Sequence, residues 1–233
     1  DMVLMDDNFA TIVSAVEEGR TIYANIQKAT FFLLSANVAE LLIMTVAMLA
    51  DWPVPLQPIH LLWINLVTDS LPAIALGIEP AEPGIMKQKP RDPAEPVLTS
   101  HLITLMSIQS VLLTIAVLSA LFLGMRAGSA NPVAMGSTYA FATLAIGELW
   151  WAHSCRSITK APWIIGLFRN RVAWVATAVG LILMIGVMTV PFLQPLFKVT
   201  PISLQGWLTI LVLSFLPTLL MEPVKAILAR RKK

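Results

Sequence analysis

Long apolar stretches alternate with short polar segments along most of the chain. Six stretches have the length, roughly 20 residues each, that an α-helix needs to cross about 30 Å of hydrocarbon. In order along the chain they are residues 29–50, 59–78, 102–123, 134–154, 172–192 and 204–221. This pattern predicts an all-α membrane protein built as a six-transmembrane-helix bundle.

The first 20 residues follow a different pattern. Acidic residues are frequent there, and apolar residues recur at the spacing of an amphipathic helix, with Asp7 or Asn8 as its N-cap. The apolar positions are Phe9, Ile12, Val13 and Val16. A single apolar face needs a partner, so residues 1–20 are expected to belong to a domain that is otherwise absent, and the chain to be a piece of a longer protein. Residues 21–50 are then a cytosolic stalk followed by the first span.

The polar segments between the spans predict how the helices connect. The turn after residue 50 is short and contains two prolines, so the first span and the second, within residues 51–78, are expected to be antiparallel neighbours. Residues 79–97 contain five prolines alternating with charged side chains, which predicts a stiff cytosolic docking loop. Residues 98–233 contain the remaining four spans and a basic C-terminal tail.

Composition and charge agree with a membrane protein and orient it. The chain is 57% hydrophobic and 13% charged, outside the range of soluble domains. Of the 16 Lys and Arg residues, only Arg126 and Lys198 lie on one side of the predicted membrane. The positive-inside rule places the other side in the cytosol, which predicts a multi-pass protein with both termini cytoplasmic. The basic tail favours attraction to anionic lipid over nucleic-acid binding, so the bilayer is an expected partner and nucleic acid is not.

Residues that bind transition metals are scarce. The single cysteine, Cys155, excludes an internal disulfide and is interpreted as a small buried hydrophobe. His60 and His101 lie at the edges of spans and are expected to be interfacial residues, because no Cys/His cluster or HxxxH pattern accompanies them.

Polar residues inside the first two spans indicate a site. Asn65, Thr68 and Asp69 are spaced i, i+3, i+4, so they share one face of a helix. A carboxylate at the centre of a membrane helix costs roughly 2.5 to 3.5 kcal/mol and is seldom found without a partner, cavity or ion. Asn37 and Glu40 share a face of the first span and lie at a similar depth across the short turn.

Two further residues allow alternative interpretations. Glu148 in the fourth span, flanked by Trp150, Trp151 and His153, is either an interfacial carboxylate or a third carboxylate of the same site. Pro72 either bends the second span for packing or leaves a carbonyl near Thr68 free to line a site.

The intramembrane set consists of oxygen ligands without a neutralising Lys, Arg or His at the same depth. It comprises Asn37, Glu40, Asn65, Thr68, Asp69 and, in the second interpretation, Glu148. Hard cations such as Ca²⁺ prefer such oxygen ligands. Three carboxylates in one empty pocket of low dielectric cannot all stay ionised, so protons are expected to replace the cation when it leaves. The residues predict a cation site with proton exchange, formed by the first, second and fourth spans.

Three motifs resemble a known family. They are Ser-Ala-Asn-Val-Ala-Glu at residues 35–40, Leu-Trp-Ile-Asn-Leu-Val-Thr-Asp at 62–69 with Leu-Pro-Ala at 71–73, and Ile-Met-Lys-Gln-Lys-Pro-Arg at 85–91. Together they resemble the C-terminal half of type II P-type ATPases, especially calcium pumps of the sarco/endoplasmic reticulum kind and their bacterial relatives. The resemblance implies that the six spans are helices five to ten of ten. It also implies that residues 1–20 are the tail of the phosphorylation domain and that the loop 79–97 contacts that domain.

The resemblance also implies residue roles. The first calcium site of the family would use Asn37, Glu40, Thr68, Asp69 and Glu148. The second would use Asn65 and Asp69, together with a glutamate and carbonyls of a helix that precedes this chain. The actuator, nucleotide-binding and phosphorylation domains that bind ATP and Mg²⁺ would lie in the missing N-terminal half with helices one to four. This chain would then contain no catalytic residue and be inactive alone.

Three alternatives remain open at this point. The chain could be part of a gradient-driven cation/proton antiporter, a membrane subunit without ATPase activity, or a P-type pump for Na⁺ or K⁺. Ala39 stands where sodium-potassium pumps have a proline, and Glu40 with Glu148 favours two calcium ions per cycle.

Overall fold

Every regular element in the described part of the protein is helical. A computed structural model describes residues 9–87, 90 and 96–230. Its elements are α1 (Phe9–Leu49), α2 (Pro58–Trp63), a π-helical turn (Ile64–Asp69), α3 (Ser70–Gly77), a 3₁₀ turn (Ile85–Lys87), α4 (Ser100–Met125), α5 (Pro132–Cys155), α6 (Pro162–Ile165), α7 (Arg171–Thr189), α8 (Leu193–Phe197) and α9 (Leu204–Arg230). The predicted N-cap at Asp7 or Asn8 and the last three basic residues lie outside the described part.

Five helical segments of the described part are long and apolar enough to cross a membrane. They are Phe9–Leu49, Pro58–Gly77, Ser100–Met125, Arg171–Thr189 and Leu204–Leu228. The remaining predicted span corresponds to α5, which is 24 residues long but more polar. The all-α membrane architecture predicted from the sequence is therefore confirmed, and one of its helices differs in composition from the others.

Helix α5 is more polar because it lies at the centre of the bundle. Of its 24 residues, 19 are buried, and α1, α4, α7 and α9 all pack against it. The contact with α4 is very close: a Cβ atom on Gly124 would lie 2.9 Å from Gly136 Cα, and one on Gly136 would lie 2.7 Å from the carbonyl oxygen of Leu121. Small residues allow such close approach between membrane helices. A helix enclosed by protein does not need an apolar surface for lipid.

Helix α1 joins the predicted stalk and the first span in one continuous helix of 41 residues. Gly19 does not interrupt it. The side chains of Phe9, Val13 and Val16, on the predicted amphipathic face, are exposed.

The second predicted span is not a uniform α-helix. Gln57 is the N-cap of α2 and forms a capping box with His60. The helix then widens into the π-helical turn before α3 begins at Ser70. His60 lies at the edge of the span as predicted, but it is fully buried: Nε2 donates to the carbonyl oxygen of Phe197 at 2.6 Å, and the ring stacks on Phe141.

Candidate functional site

The three polar residues of the second span all lie in the π-helical turn. Thr68 and Asp69 point into the bundle, with the side chain of Asp69 only 1% exposed, whereas Asn65 is exposed. The Thr68 hydroxyl donates to the carbonyl oxygen of Ile64, and the Ser70 hydroxyl donates to that of Asn65. The wider turn changes the spacing expected for an α-helix, so the three side chains do not share a single face. Such π-helical turns are frequent at functional sites.

The carboxylate of Glu40 is held by the second span. Asn65 Nδ2 donates to Glu40 Oε1 at 3.1 Å and to Oε2 at 3.0 Å, and also to the carbonyl oxygen of Leu61. This contact connects α1 to the π-helical turn across the bundle. The two spans are therefore neighbours at this depth, as the short turn between them predicts.

The carboxyl groups of Asp69 and Glu148 interact across the contact between the π-helical turn and α5, with Glu40 in electrostatic range of both. Glu148 is completely buried. Apart from the interaction between them, no described residue supplies a hydrogen bond to any of the four oxygens of Asp69 and Glu148. Buried polar groups are almost always hydrogen-bonded, so each exception calls for an explanation such as an unseen ion or water.

The predicted residues are not all brought together. Asn37 is exposed, and its amide donates to the carbonyl oxygen of Leu33 on its own helix. Within the described ranges, no three His, Cys, Asp or Glu side chains are close enough to enclose a metal ion. Glu40, Asp69 and Glu148 thus lie near one another without forming a closed cage.

Two of the residues beside Glu148, Trp151 and His153, face the interior of the protein. Trp151 is fully buried, and its indole Nε1 donates to the Ser35 hydroxyl at 3.0 Å. His153 is buried as well, and its Nε2 pairs with the Thr177 hydroxyl at 2.8 Å. The interpretation of Glu148 as an interfacial carboxylate depends on these neighbours, and the central position of α5 removes that support.

A buried ion pair that sequence reasoning missed connects the ends of α3 and α5. Arg156 is fully buried, and its Nε and Nη2 donate to the Glu79 carboxylate at 3.0 to 3.1 Å. Asn170 Nδ2 donates to the same carboxylate at 2.6 Å, and Asn25 Nδ2 donates to the carbonyl oxygen of Glu79 at 2.7 Å. The network fixes the end of α3, which directly follows Asp69, and the end of α5, which contains Glu148.

A second buried network joins α5 to α9. Lys225 Nζ donates to the carbonyl oxygens of Ser154 and Ser157 at 2.9 and 3.1 Å and to Glu222 Oε1 at 3.2 Å. The Ser154 hydroxyl also donates to Glu222. Lys225 therefore satisfies carbonyl groups at the C-terminal end of α5, where a cation is favourable. Glu222 is engaged here and is separate from the carboxylates in the centre of the bundle.

Residues 53–227 match the sequence model of a family described as "Cation transporting ATPase, C-terminus". The chain is 36% identical to "Calcium-transporting ATPase 1" of Bacillus cereus over 97% of its length, and 40% identical to "Calcium-transporting ATPase" of Bacillus subtilis over 99%. It is 32% identical over its whole length to human "Calcium-transporting ATPase type 2C member 1". The chain spans only about a quarter of these relatives, from 25% to 27% of their lengths.

Proposed function

Because the chain belongs to the cation-transporting ATPases and matches their C-terminal part, we propose that it is the ion-binding transmembrane part of an ATP-driven pump. The proposed pump exports Ca²⁺ from the cytosol in exchange for H⁺. The names of the relatives, all calcium-transporting ATPases, support Ca²⁺ as the transported ion.

The observation on which the proposal depends is the pair of unpartnered carboxyl groups at the centre of the bundle. Asp69 and Glu148 are buried in apolar surroundings, and Glu40 is close to both. Within the described part, no cationic side chain bonds to any of these carboxyl groups. Their negative charge therefore has to be balanced by an ion or by protons. Carboxylate, amide and hydroxyl oxygens are the ligands that Ca²⁺ prefers.

The proposed ligands divide into two sites that share Asp69. The first consists of Asn37, Glu40, Thr68, Asp69 and Glu148. The second consists of Asn65 and Asp69, completed by residues from the part of the pump that precedes this chain. Both asparagines are exposed in this chain, which is compatible with further helices covering them.

Proton exchange follows from the same arrangement. When no cation is bound, repulsion between the facing carboxylates of Asp69 and Glu148 favours a proton on one of them. When Ca²⁺ arrives, that proton has to leave, because the ion is bound by the ionised form. Binding of one species thereby displaces the other, as an exchange pump requires.

The rest of the pump is proposed to lie in the segment that relatives have and this chain does not. That segment would contain the actuator, nucleotide-binding and phosphorylation domains, which bind ATP and Mg²⁺, and helices one to four. Residues 1–20 would be the tail of the phosphorylation domain and residues 79–97 a loop that contacts it. Both termini would be cytoplasmic. This chain by itself would not hydrolyse ATP.

The proposal is tested with the full-length protein. Phosphorylation by ATP should require micromolar Ca²⁺. Asp69→Asn should abolish this activation by Ca²⁺ together with transport, because Asp69 would contact both ions. Glu222→Gln is the matched control, since Glu222 is also a buried carboxylate in a membrane helix but is engaged by Ser154 and Lys225. Its Ca²⁺ dependence should equal that of the parent.

Three results would contradict the proposal. Phosphorylation that requires Na⁺ and ignores a calcium chelator would exclude Ca²⁺ as the ion. Proton-driven Ca²⁺ uptake without ATP would favour an antiporter. Equal effects of Asp69→Asn and Glu222→Gln, in variants of equal thermal stability, would show that the site lies elsewhere.

A further inference from the structure

The loop between α5 and α7 presents large apolar side chains to the outside. This α5–α7 loop, residues 156–170, includes the short helix α6. Its exposed apolar residues are Trp163 (57%), Ile164 (67%), Leu167 (41%) and Phe168 (72%). Four such side chains within six residues form a contiguous apolar surface, which is unusual for a loop in water.

Hydrogen bonds fix the backbone of the loop, so the exposure of these apolar side chains does not result from a lack of contacts. Arg156, buried beneath the loop, donates from Nη1 to the carbonyl oxygen of Leu167 at 2.8 Å and from Nη2 to that of Gly166 at 3.2 Å. Trp174 Nε1 also donates to the Leu167 carbonyl at 2.7 Å, and its ring stacks on Phe168. Gly166 has a φ of 96°, a backbone conformation that favours glycine. The fold therefore holds the backbone so that the apolar side chains point away from the bundle.

Two membrane-spanning segments end at this loop. Helix α7 begins at Arg171, directly after it. Arg169 Nη2 donates at 2.6 Å to the carbonyl oxygen of Ala81, four residues beyond the end of α3 at Gly77. Because the candidate spans Arg171–Thr189 and Pro58–Gly77 both have an end here, the loop lies at the edge of the segments that are apolar enough to cross a membrane.

The loop region is also positively charged, and no ion pair within the described residues neutralises its exposed cations. Lys160, Arg169 and Arg171 are exposed, and the sequence contains no acidic residue between Glu148 and Glu222. Two acidic residues on the neighbouring segment are already engaged, Glu79 by Arg156 and Glu82 by Lys28. Among the described residues, none supplies a negative charge to these three cations, which favours a negatively charged partner molecule.

From this arrangement we propose that the α5–α7 loop is a binding surface for anionic phospholipid. Trp163, Ile164, Leu167 and Phe168 enter the boundary between headgroups and acyl chains, where aromatic and aliphatic side chains are favoured. Lys160, Arg169 and Arg171 surround the phosphate of a lipid such as phosphatidylglycerol. Each cation near an anionic membrane surface strengthens such binding.

The test uses tryptophan fluorescence of the full-length protein in nanodiscs of phosphatidylcholine. A fraction of the lipid is replaced by phosphatidylglycerol or phosphatidylcholine with brominated acyl chains, which quench nearby tryptophans. The contribution of Trp163 is the difference between the parent and Trp163→Phe. Brominated phosphatidylglycerol should quench Trp163 at least about twofold more than brominated phosphatidylcholine at equal mole fraction.

Charge variants then distinguish recognition of the anionic headgroup from the apolar contact with the acyl chains. The triple variant Lys160→Gln, Arg169→Gln, Arg171→Gln should make the two brominated lipids equally effective. The control Arg126→Gln, Lys198→Gln removes two exposed cations at the other ends of the helices and should keep the preference. If the triple variant does not fold, raising the salt concentration on the parent should remove the preference instead, since salt screens exposed charges.

Three outcomes would overturn the proposal. Quenching of Trp163 by neither lipid would mean that water or another protein domain covers the loop. Equal quenching by both lipids in the parent would mean an apolar contact without headgroup recognition. A preference that survives in the triple variant and in high salt would mean that other residues attract the lipid. None of these measurements involves ion transport, so the proposed function is unaffected by their failure.

Discussion

Removing the arginine of the buried ion pair should destabilise the protein more than most single substitutions. In Arg156→Met, Glu79 loses the three hydrogen bonds that Arg156 supplies and retains the one from Asn170. The carbonyl groups of Gly166 and Leu167 each lose one donor and retain one, the backbone N–H of Arg169 and the indole of Trp174 respectively. Leaving one partner of a buried pair uncompensated costs about 3 to 5 kcal/mol. We therefore expect the free energy of unfolding to fall by about that amount.

The double variant shows whether the cost arises from the unpaired charge. Replacing both residues, Arg156→Met with Glu79→Met, removes the charge as well as its partner, and apolar replacement of a whole buried pair is often close to neutral. The double variant should be more stable than Arg156→Met alone. Arg156→Lys keeps the charge but cannot reach the carboxylate and both carbonyls at once, so it should lie between the parent and Arg156→Met.

The assay is reversible unfolding of the full-length protein in mixed micelles with increasing sodium dodecyl sulfate, followed by circular dichroism. Arg126→Met, which removes an exposed arginine at the end of α4, is the control and should change the free energy of unfolding by less than about 0.5 kcal/mol. An equally small change in Arg156→Met would refute the reasoning. So would a double variant whose loss equals the sum of the two single losses, because the pair would then not be coupled.

Two further predictions concern packing in the bundle, and both are measured in the same unfolding assay. Gly136→Ala should lower the free energy of unfolding by about 1 to 3 kcal/mol, because its Cβ atom would lie 2.7 Å from a carbonyl oxygen of α4. Gly186→Ala is the control and should be tolerated, because nothing lies within 4 Å of the added Cβ atom. Equal effects of the two substitutions would contradict the close approach of α4 and α5. Trp151→Phe should cost about 1 kcal/mol through loss of the indole hydrogen bond to Ser35, whereas Trp163→Phe, at an exposed position, should have little effect in detergent. A loss in Trp163→Phe as large as that in Trp151→Phe would argue against this placement of the two rings.

The helices can be predicted from the sequence because lipid requires long apolar segments. Helix α5 is the exception: its length and position predict a span, but they do not predict its burial at the centre. A helix surrounded by protein can contain Ser, Thr, His and Glu, and the flanking Trp150 and Trp151 resemble the aromatic belt of an interface. A pattern along one helix does not reveal what surrounds it.

The site can be predicted in part for a similar reason. A carboxylate in an apolar segment is conspicuous, so Glu40 and Asp69 stand out from their surroundings in the sequence alone. The Glu79–Arg156 pair does not, because both residues lie just beyond apolar stretches, where charged residues are usually in water, and they are 77 positions apart. Only the folded bundle shows that this arginine is enclosed.

The π-helical turn has a consequence for how such helices are recognised. An α-helix repeats every 3.6 residues, and a turn closed by i→i+5 bonds holds more residues than that. The residues of α3 are therefore offset in angular position, relative to those of α2, from where a uniform α-helix would place them. A search that assumes 3.6 residues per turn throughout Pro58–Gly77 will therefore assign the side chains after the turn to the wrong face of the helix. A phase break inside a membrane-length helix, next to a carboxylate, is thus a signal in its own right that can be sought in the amino-acid sequences of other membrane proteins.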